Sequence, residues 1–147
     1  MDTAPHYGAG RAEQRLGDAL RDVPRWTYVL STKVGRLLRP RRPGEPADSA
    51  GFVEEPPYRR IWDFTADGIR RSVEDSLARL GLDRVDVLYL HDPDDHEEEV
   101  YRTGYPTMAA LREQGVVGAI GAGMNQTEML ARFVTRLDLD VVLLAGR

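Results

Sequence analysis

The chain has 147 residues, 41% of them hydrophobic and 30% charged, with a formal net charge of −4. This composition is ordinary for a folded globular protein and excludes a compositionally disordered chain, and its mild acidity argues against general nucleic-acid binding. The sequence has no cysteine, no apolar run near the roughly 20 residues that span a bilayer and no signal peptide, so we expect a cytoplasmic protein without disulfides or a membrane partner.

Hydrophobic periodicity predicts helices and strands that alternate along the chain. They are a helix over 12–20, a strand over 28–34, a helix over 65–80, a strand over 85–91, a helix over 107–114, a strand over 116–121, a helix over 126–137 and a strand over 140–145. The proline-rich stretch 35–64 predicts irregular structure, and residues 2–4 resemble the end of a further strand. Strict alternation predicts an α/β fold with a parallel sheet. A barrel and an open doubly wound sheet both satisfy this pattern.

Three of the predicted helices carry apolar stripes that predict their buried faces. The stripes are Leu16, Ala19 and Leu20 in the first helix, Ile69, Val73, Leu77 and Leu80 in the second, and Met129, Leu130, Phe133, Val134 and Leu137 in the fourth. The predicted strands are almost continuously apolar, which is typical of a sheet covered on both faces.

Four polar residues stand where apolar segments are predicted to end: Asp2, Tyr7, Lys33 and His91. In parallel α/β folds that edge of the sheet forms the active site. Reduction of a carbonyl by hydride needs a proton donor, and a tyrosine can serve if a nearby ammonium lowers the pKa of its phenol. Lys33 is a candidate for that ammonium, and Asp2 for the partner that a buried lysine needs. His91 could orient the substrate carbonyl by a hydrogen bond.

Taken singly, each of these residues also has an ordinary structural interpretation. Lys33 could end a strand in solvent, His91 could belong to a turn, and Asp2 could cap a helix or turn. Tyr7 could be a loop aromatic. The spacing alone does not bring the four side chains together.

Two charged segments carry weaker predictions. A basic cluster in the proline-rich stretch predicts mainly a solvated loop, with a lid over substrate or cofactor phosphate as the alternative. The cluster consists of Arg36, Arg39, Arg41 and Arg42. The acidic run 92–99 includes His96 but predicts no metal site, because adjacent carboxylates on a loop do not form one in advance.

Short motifs over nearly the whole chain resemble those of the aldo-keto reductase family, in the same order and at compatible spacing. The motifs are Asp2-Thr3-Ala4-Pro5-His6-Tyr7-Gly8, Glu13-Gln14-Arg15-Leu16-Gly17, Ser31-Thr32-Lys33-Val34-Gly35, Arg79-Leu80-Gly81-Leu82-Asp83-Arg84-Val85-Asp86, Leu90-His91-Asp92-Pro93, Gly115-Val116-Val117 and Ile120-Gly121-Ala122-Gly123-Met124-Asn125. Each motif is weak alone, but the combination is very specific. The strand endings are most similar to the sugar-oxidising branch, the aldose and fucose dehydrogenases.

This resemblance implies a (β/α)8 TIM barrel, of which residues 1–147 would form a single, incomplete domain. It implies an NAD(P)-dependent oxidoreductase acting on an aldose or a small aldehyde, with NADP or NAD as cofactor and no metal. Four residues match the family's catalytic tetrad: Asp2, Tyr7, Lys33 and His91. In that tetrad Tyr7 would be the general acid in reduction and the general base in oxidation.

The resemblance also implies a contact with the nicotinamide. Asn125 matches the family residue that holds the carboxamide, and Met124 replaces the serine that usually precedes it. A complete barrel takes about 250 residues and eight strands, whereas four full strands and the end of another are predicted in this sequence. We therefore expect a partial barrel that on its own binds the cofactor weakly and shows little or no turnover.

Two alternatives remain open from the sequence. A TIM-barrel lyase would use Lys33 to form a Schiff base, which borohydride would trap. A non-catalytic remnant or interaction module would keep the fold and serve a protein partner, indifferent to Tyr7→Phe.

Overall fold

A computed structural model describes residues 1–46, 48 and 57–146. Its helices and strands alternate, as the sequence predicts for most of the chain. In chain order the elements are α1 (Arg11–Leu20), a 3-10 turn (Arg25–Thr27), β1 (Ser31–Val34), β2 (Arg36–Pro40), β3 (Tyr58–Trp62), α2 (Ala66–Leu80), β4 (Val87–His91), α3 (Glu97–Glu99), a π-helical turn (Val100–Gly104), α4 (Tyr105–Glu113), β5 (Ala119–Met124), α5 (Thr127–Arg136) and β6 (Val141–Leu144). Among these described helices, none is long and apolar enough to cross a membrane.

Four strands form one parallel sheet in the order β1-β4-β5-β6. Asp2 adds an isolated parallel bridge to Ser31, so the N-terminal segment runs beside β1 as an extended chain. Strands β1, β4 and β5 of this sheet are largely buried, since helices pack against a sheet whose strands are parallel. Because all four strands run the same way, their carboxyl ends lie at one edge. That edge carries Lys33, His91 and Asn125.

The stretch that the sequence predicts to be irregular contains an antiparallel hairpin. Strands β2 and β3 pair from Arg36 opposite Trp62 to Pro40 opposite Tyr58. Proline is tolerated at the end of an edge strand, so Pro40 does not prevent this pairing, and the prediction of irregular structure was wrong for β2 and β3. Residues 47 and 49–56 of the same predicted stretch lie outside the described residues.

Gly35 makes the turn from β1 into this hairpin. Its φ is 92°, a conformation that favours glycine, and an added Cβ would lie 2.0 Å from the ring of Phe64. The backbone N–H of Asp63 donates to the carbonyl of Gly35 at 3.0 Å and closes the base of the hairpin. The hairpin is therefore held directly above the end of the strand that carries Lys33.

Helices α1 and α2 approach closely because α1 presents a glycine. A Cβ on Gly17 would lie 2.2 Å from the carbonyl oxygen of Leu80. The buried positions of α1 are Glu13, Gly17 and Leu20, whereas Ala19 is exposed. The prediction that Ala19 faces the core was wrong, because a close helix contact selected the glycine side of α1.

The remaining differences from the predicted elements are local. Val134 is 54% exposed, because α5 turns Met129, Leu130 and Phe133 to the core instead. Residues 97–99, predicted as loop, are helical and continue through the π-helical turn into α4. The first strand of the sheet begins at residue 31 rather than at residue 28. The strand predicted over 116–121 is β5, which begins at residue 119, after the left-handed turn at Gly115.

Candidate active site

Lys33 is a buried ammonium with its partners supplied by the N-terminal segment. Only 2% of the residue is exposed. Its Nζ donates to Asp2 Oδ2 at 2.6 Å and to the carbonyl of Thr3 at 3.0 Å. Ser31 shares the face of β1 with Lys33, two residues on, and its Oγ donates to Asp2 Oδ1 at 2.6 Å. Both oxygens of this carboxylate are thus engaged, and the buried charge has the partner it requires.

Three aromatic rings meet next to this ion pair. The Nζ of Lys33 lies 4.6 Å from the ring centroid of Tyr7. The Tyr7 ring meets His91 edge-on with 5.8 Å between centroids, and His6 meets His91 in the same way at 5.5 Å. The turn after the N-terminal segment brings Tyr7 to β1, and the end of β4 brings His91 to both. The four predicted tetrad residues therefore lie together.

Both histidines are neutral at pH 7. Burial, reinforced by the charges of Arg36 and Lys33, lowers the pKa of His91 to about 2. Burial, with Arg36 and Arg60 adding to it, lowers the pKa of His6 to about 4. Among the described residues, the Nδ1 of His91 has no hydrogen-bond partner. A neutral imidazole can donate one hydrogen bond without bringing a charge, which suits orienting a carbonyl oxygen.

Asp92 ties three elements together at the mouth of the site. Its Oδ2 accepts from Arg36 on the hairpin at 3.0 Å, and its Oδ1 accepts from the Nδ2 of Asn125 at the end of β5 at 3.1 Å. Burial raises the pKa of this carboxyl, opposed by the charge of Arg36. Its φ of 39° is unusual for a residue other than glycine. The fixed turn directly after His91 thereby holds the Asn125 amide.

These groups surround a cleft of about 230 Å³, the catalytic cleft. Five of the six predicted site residues line it: Tyr7, Lys33, His91, Met124 and Asn125. The sixth, Asp2, lies behind Lys33 and reaches the cleft only through it. Leu143 and Ala145, from the end of β6, give the cleft an apolar side. The side chain of Met124 packs mainly in the hydrophobic core.

A larger cavity of about 550 Å³ lies between α1, α2 and the hairpin. Its lining includes Arg11, Leu38, Tyr58 and Arg79, and none of the predicted site residues. Size alone would select this cavity, but titratable groups with shifted pKa values converge on the smaller one. We therefore take the catalytic cleft as the candidate site, since convergent and perturbed groups are the stronger indication.

Sequence reasoning missed four residues of this neighbourhood: Ser31, Arg36, His6 and Asp92. Arg36 was predicted as part of a solvated loop, yet its side chain is 15% exposed and pairs with Asp92. Arg39 is likewise paired, with Glu45. Three of these residues could have been found from their place in the motifs. His6 and Asp92 directly neighbour Tyr7 and His91, and Ser31 stands two residues before Lys33. Contacts between the hairpin and β4 had no local signal.

The fold is a parallel β/α sheet with these polar groups at its carboxyl edge. It is one of the β/α folds that place their active sites at that edge. The chain belongs to the aldo/keto reductase family, whose profile matches residues 1–146. Solved relatives in this family have the TIM-barrel fold, and the described sheet covers part of it. This finding decides between the barrel and the open sheet, which the alternation of elements left open.

Individual relatives agree with the family assignment. The chain is 48% identical over 150 residues to D-threo-aldose 1-dehydrogenase from Pseudomonas sp, covering 99% of this chain and 46% of that protein. It is 38% identical to pyridoxal 4-dehydrogenase from Microbacterium luteolum, covering 100% and 48%. The holo structure of an aldo-keto reductase from Bacillus halodurans superposes with a TM-score of 0.73 at 26% identity, covering 99% and 43%. The chain thus spans about half the length of the curated relatives it matches. Aldo-keto reductases use NAD(P)H.

Proposed function

We propose that this chain carries the catalytic groups of an NAD(P)-dependent oxidoreductase that interconverts an aldose or small aldehyde and its oxidised or reduced partner by hydride transfer. The observation that carries the proposal is the buried Asp2–Lys33 pair beside Tyr7, with the neutral His91 on the same cleft. The similarity to an aldose dehydrogenase supports the substrate class. In this proposal residues 1–147 form part of a single barrel domain.

Tyr7 moves the proton. In reduction its phenol protonates the alkoxide oxygen that develops on the substrate, and in oxidation its phenolate takes the hydroxyl proton. The ammonium of Lys33, 4.6 Å from the ring, stabilises the phenolate in both directions. Asp2 accepts a hydrogen bond from that ammonium at 2.6 Å and holds it in place.

His91 orients the substrate. Its imidazole is neutral at pH 7, because its pKa lies near 2. A neutral N–H donates to the carbonyl oxygen and leaves proton transfer to Tyr7. The Tyr7 and His91 rings are in contact, with 5.8 Å between their centroids, and in this proposal both groups act on the same substrate oxygen.

The residues that line the cleft fit a nicotinamide cofactor. The amide of Asn125, fixed by Asp92, offers the hydrogen-bonding group that a carboxamide needs, and Met124 precedes it on β5. Leu143 and Ala145 offer an apolar surface to a flat ring. Bound NAD or NADP would supply or receive the hydride.

The position of Lys33 argues against a Schiff-base lyase. A lysine nucleophile must be neutral and must present its lone pair to the substrate. The Nζ of Lys33 instead donates to a carboxylate and a carbonyl at 2.6 Å and 3.0 Å. These two hydrogen bonds tie the side-chain nitrogen to Asp2 and Thr3, so borohydride with a carbonyl substrate should leave Lys33 unlabelled.

Formation of NAD(P)H with a panel of aldoses, and consumption of NAD(P)H with a panel of small aldehydes, tests the proposal. The assay uses the chain alone and a chimera of the chain with the parts of the Pseudomonas dehydrogenase that it does not match, since we expect the chain alone to turn over slowly. Tyr7→Phe should lower kcat by about 10²- to 10⁴-fold, whereas Tyr58→Phe on the hairpin should not. Equal rates for Tyr7→Phe and the unaltered chimera would contradict the assigned role.

A further inference from the structure

A second cleft adjoins the catalytic cleft on the side of the hairpin. It has a volume of about 200 Å³, and we term it the Trp62 cleft. Its lining residues are Arg36, Trp62, Asp92, Asp94, Asp95 and His96. Arg36 and Asp92 also line the catalytic cleft, so their ion pair forms the boundary between the two. A substrate that reacts beside Tyr7 and extends past this boundary enters the Trp62 cleft.

The Trp62 cleft has one rigid aromatic wall. Trp62 is 47% exposed at the end of β3. Arg36 stands opposite Trp62 in the hairpin, and its guanidinium lies 5.1 Å from the centroid of the Trp62 ring. The indole is therefore held by a strand pair and a cation–π contact while much of its surface stays open. Such a surface can cover the C–H face of a ligand with little further loss of conformational freedom.

The opposite side of the Trp62 cleft is polar and negative. Asp94 and Asp95 follow in the turn after Asp92, and the backbone N–H of His96 donates to the carbonyl of Pro93 at 2.8 Å. Arg36 is already paired with Asp92, so the other two carboxylates leave an excess of negative charge. Carboxylates accept hydrogen bonds from hydroxyl groups and repel anions. This side thus favours a neutral ligand with several hydroxyl donors.

We propose that the Trp62 cleft binds the hydroxyl-rich far end of a neutral sugar whose carbonyl carbon lies beside Tyr7 and His91. The inference rests on the proposed function and adds the feature that selects among substrates. A cleft of about 200 Å³ is below the roughly 300–1,000 Å³ of drug-sized ligand pockets, so it suits part of one sugar unit. Sugars with a carboxylate or phosphate at the far end are excluded by Asp94 and Asp95.

Trp62 itself is the reporter in the first test. The chain has two tryptophans, and Trp26 is 83% exposed outside both clefts, so Trp26→Phe leaves Trp62 as the only source of indole emission. This variant is titrated with galactose and with galacturonate, which differ only at the far carbon, in the presence of NAD or NADP. Galactose should change the Trp62 emission saturably, and galacturonate should bind at least about tenfold more weakly.

Two sets of variants separate the walls of the cleft. The double variant Asp94→Asn/Asp95→Asn should reduce the preference for galactose over galacturonate to about threefold or less. Trp62→Ala should weaken galactose binding by roughly tenfold in calorimetry. Tyr58→Ala is the matched control, because Tyr58 lies at the other end of the same strand and lines the larger cavity. It should leave galactose binding unchanged.

The same samples are assayed for NAD(P)H formation. Turnover of galactose without any change in Trp62 emission would overturn the inference and leave the proposed function standing. A saturable Trp62 response in a chain whose chimera also fails to turn over any sugar would support the cleft and count against the proposed function. Equal binding of the two sugars, unaltered in Asp94→Asn/Asp95→Asn, would overturn the selection by charge.

Discussion

At the scale of single residues, the site depends on one charge that the fold buries. Lys33 is almost fully inaccessible, and its ammonium is stabilised by Asp2, a residue outside β1. Removing one partner of such a pair leaves an uncompensated buried charge, whereas removing both leaves only a gap in the packing. The pair is therefore coupled in stability as well as in chemistry.

The coupling predicts a particular pattern of stability. Asp2→Ala should lower the free energy of unfolding by about 2–3 kcal/mol, because the carboxylate is partly exposed and the ammonium is not. The double variant Asp2→Ala/Lys33→Met should recover part of that loss. Urea unfolding of the unaltered chain, Asp2→Ala, Lys33→Met and the double variant measures the loss and its recovery. A double variant less stable than Asp2→Ala would show that the buried charge is not the source of the cost.

The neutral state of His91 predicts how stability depends on pH. An unfolded histidine takes up a proton near its ordinary pKa of 6.5, whereas His91 in the fold has a pKa of about 2. Between these values the unfolded chain binds more protons, so stability falls as the pH drops below about 6.5. This residue contributes up to about 1.4 kcal/mol per pH unit.

Urea unfolding at several pH values between 7 and 5 tests this dependence. In His91→Gln the free energy of unfolding should fall less steeply as the pH drops, by the contribution of about one proton. The reason is that the variant lacks the imidazole that must lose its proton on folding. Trp26→Phe, which removes an exposed side chain without a titratable group, is the control and should keep the slope of the unaltered chain. Parallel slopes for His91→Gln and the unaltered chain would refute a neutral buried imidazole.

At the scale of elements, a buried carboxylate joins α1, β1 and α2. Glu13 is fully buried, its Oε1 accepts from Thr32 at 2.7 Å, and its Oε2 accepts from the Nε of Arg79 at 2.6 Å. This carboxylate holds α1 against the strand that carries Lys33. It lies four residues from Gly17, where the two helices touch, so both contacts fix the same face of α1.

Glu13→Ala should therefore destabilise the fold strongly. It leaves the guanidinium of Arg79 and the hydroxyl of Thr32 without their acceptor in a buried place, which costs about 3 kcal/mol or more. Asp18→Ala on the same helix removes an exposed ion pair with Arg21 and should cost less than about 1 kcal/mol. Thermal and urea unfolding give both values. Equal small losses would mean that Glu13 does not carry the contact between α1 and α2.

Elements with a strong apolar period were predictable, and those defined by pairing were not. The stripe of Ile69, Val73 and Leu80 gives α2 almost to the residue. The hairpin of β2 and β3 was missed, because its strands are rich in arginine and their pairing spans a stretch of prolines. Ala19 was misplaced since the partner that selects the face of α1 is remote in sequence.

At the scale of the whole molecule, alternation of helix and strand predicts a parallel sheet but not whether it closes. Closure depends on strand tilt and stagger, which no local pattern records. The family assignment supplied the barrel. The four predicted tetrad residues were chosen from motifs, and their proximity in the fold depends on the bridge between Asp2 and Ser31 and on the path of β4. Their catalytic roles stay a prediction.

Transfer of the hydride itself tests the central claim most directly. An aldose carrying deuterium at its carbonyl carbon is incubated with NAD or NADP and the chain, alone and in the chimera with the parts of the Pseudomonas dehydrogenase that it does not match. Mass spectrometry then measures deuterium in the reduced cofactor. We predict that the label appears in the cofactor, and that Tyr7→Phe lowers its rate of appearance by about 10²-fold or more. Reduced cofactor without deuterium, or labelling as fast with Tyr7→Phe, would contradict the account.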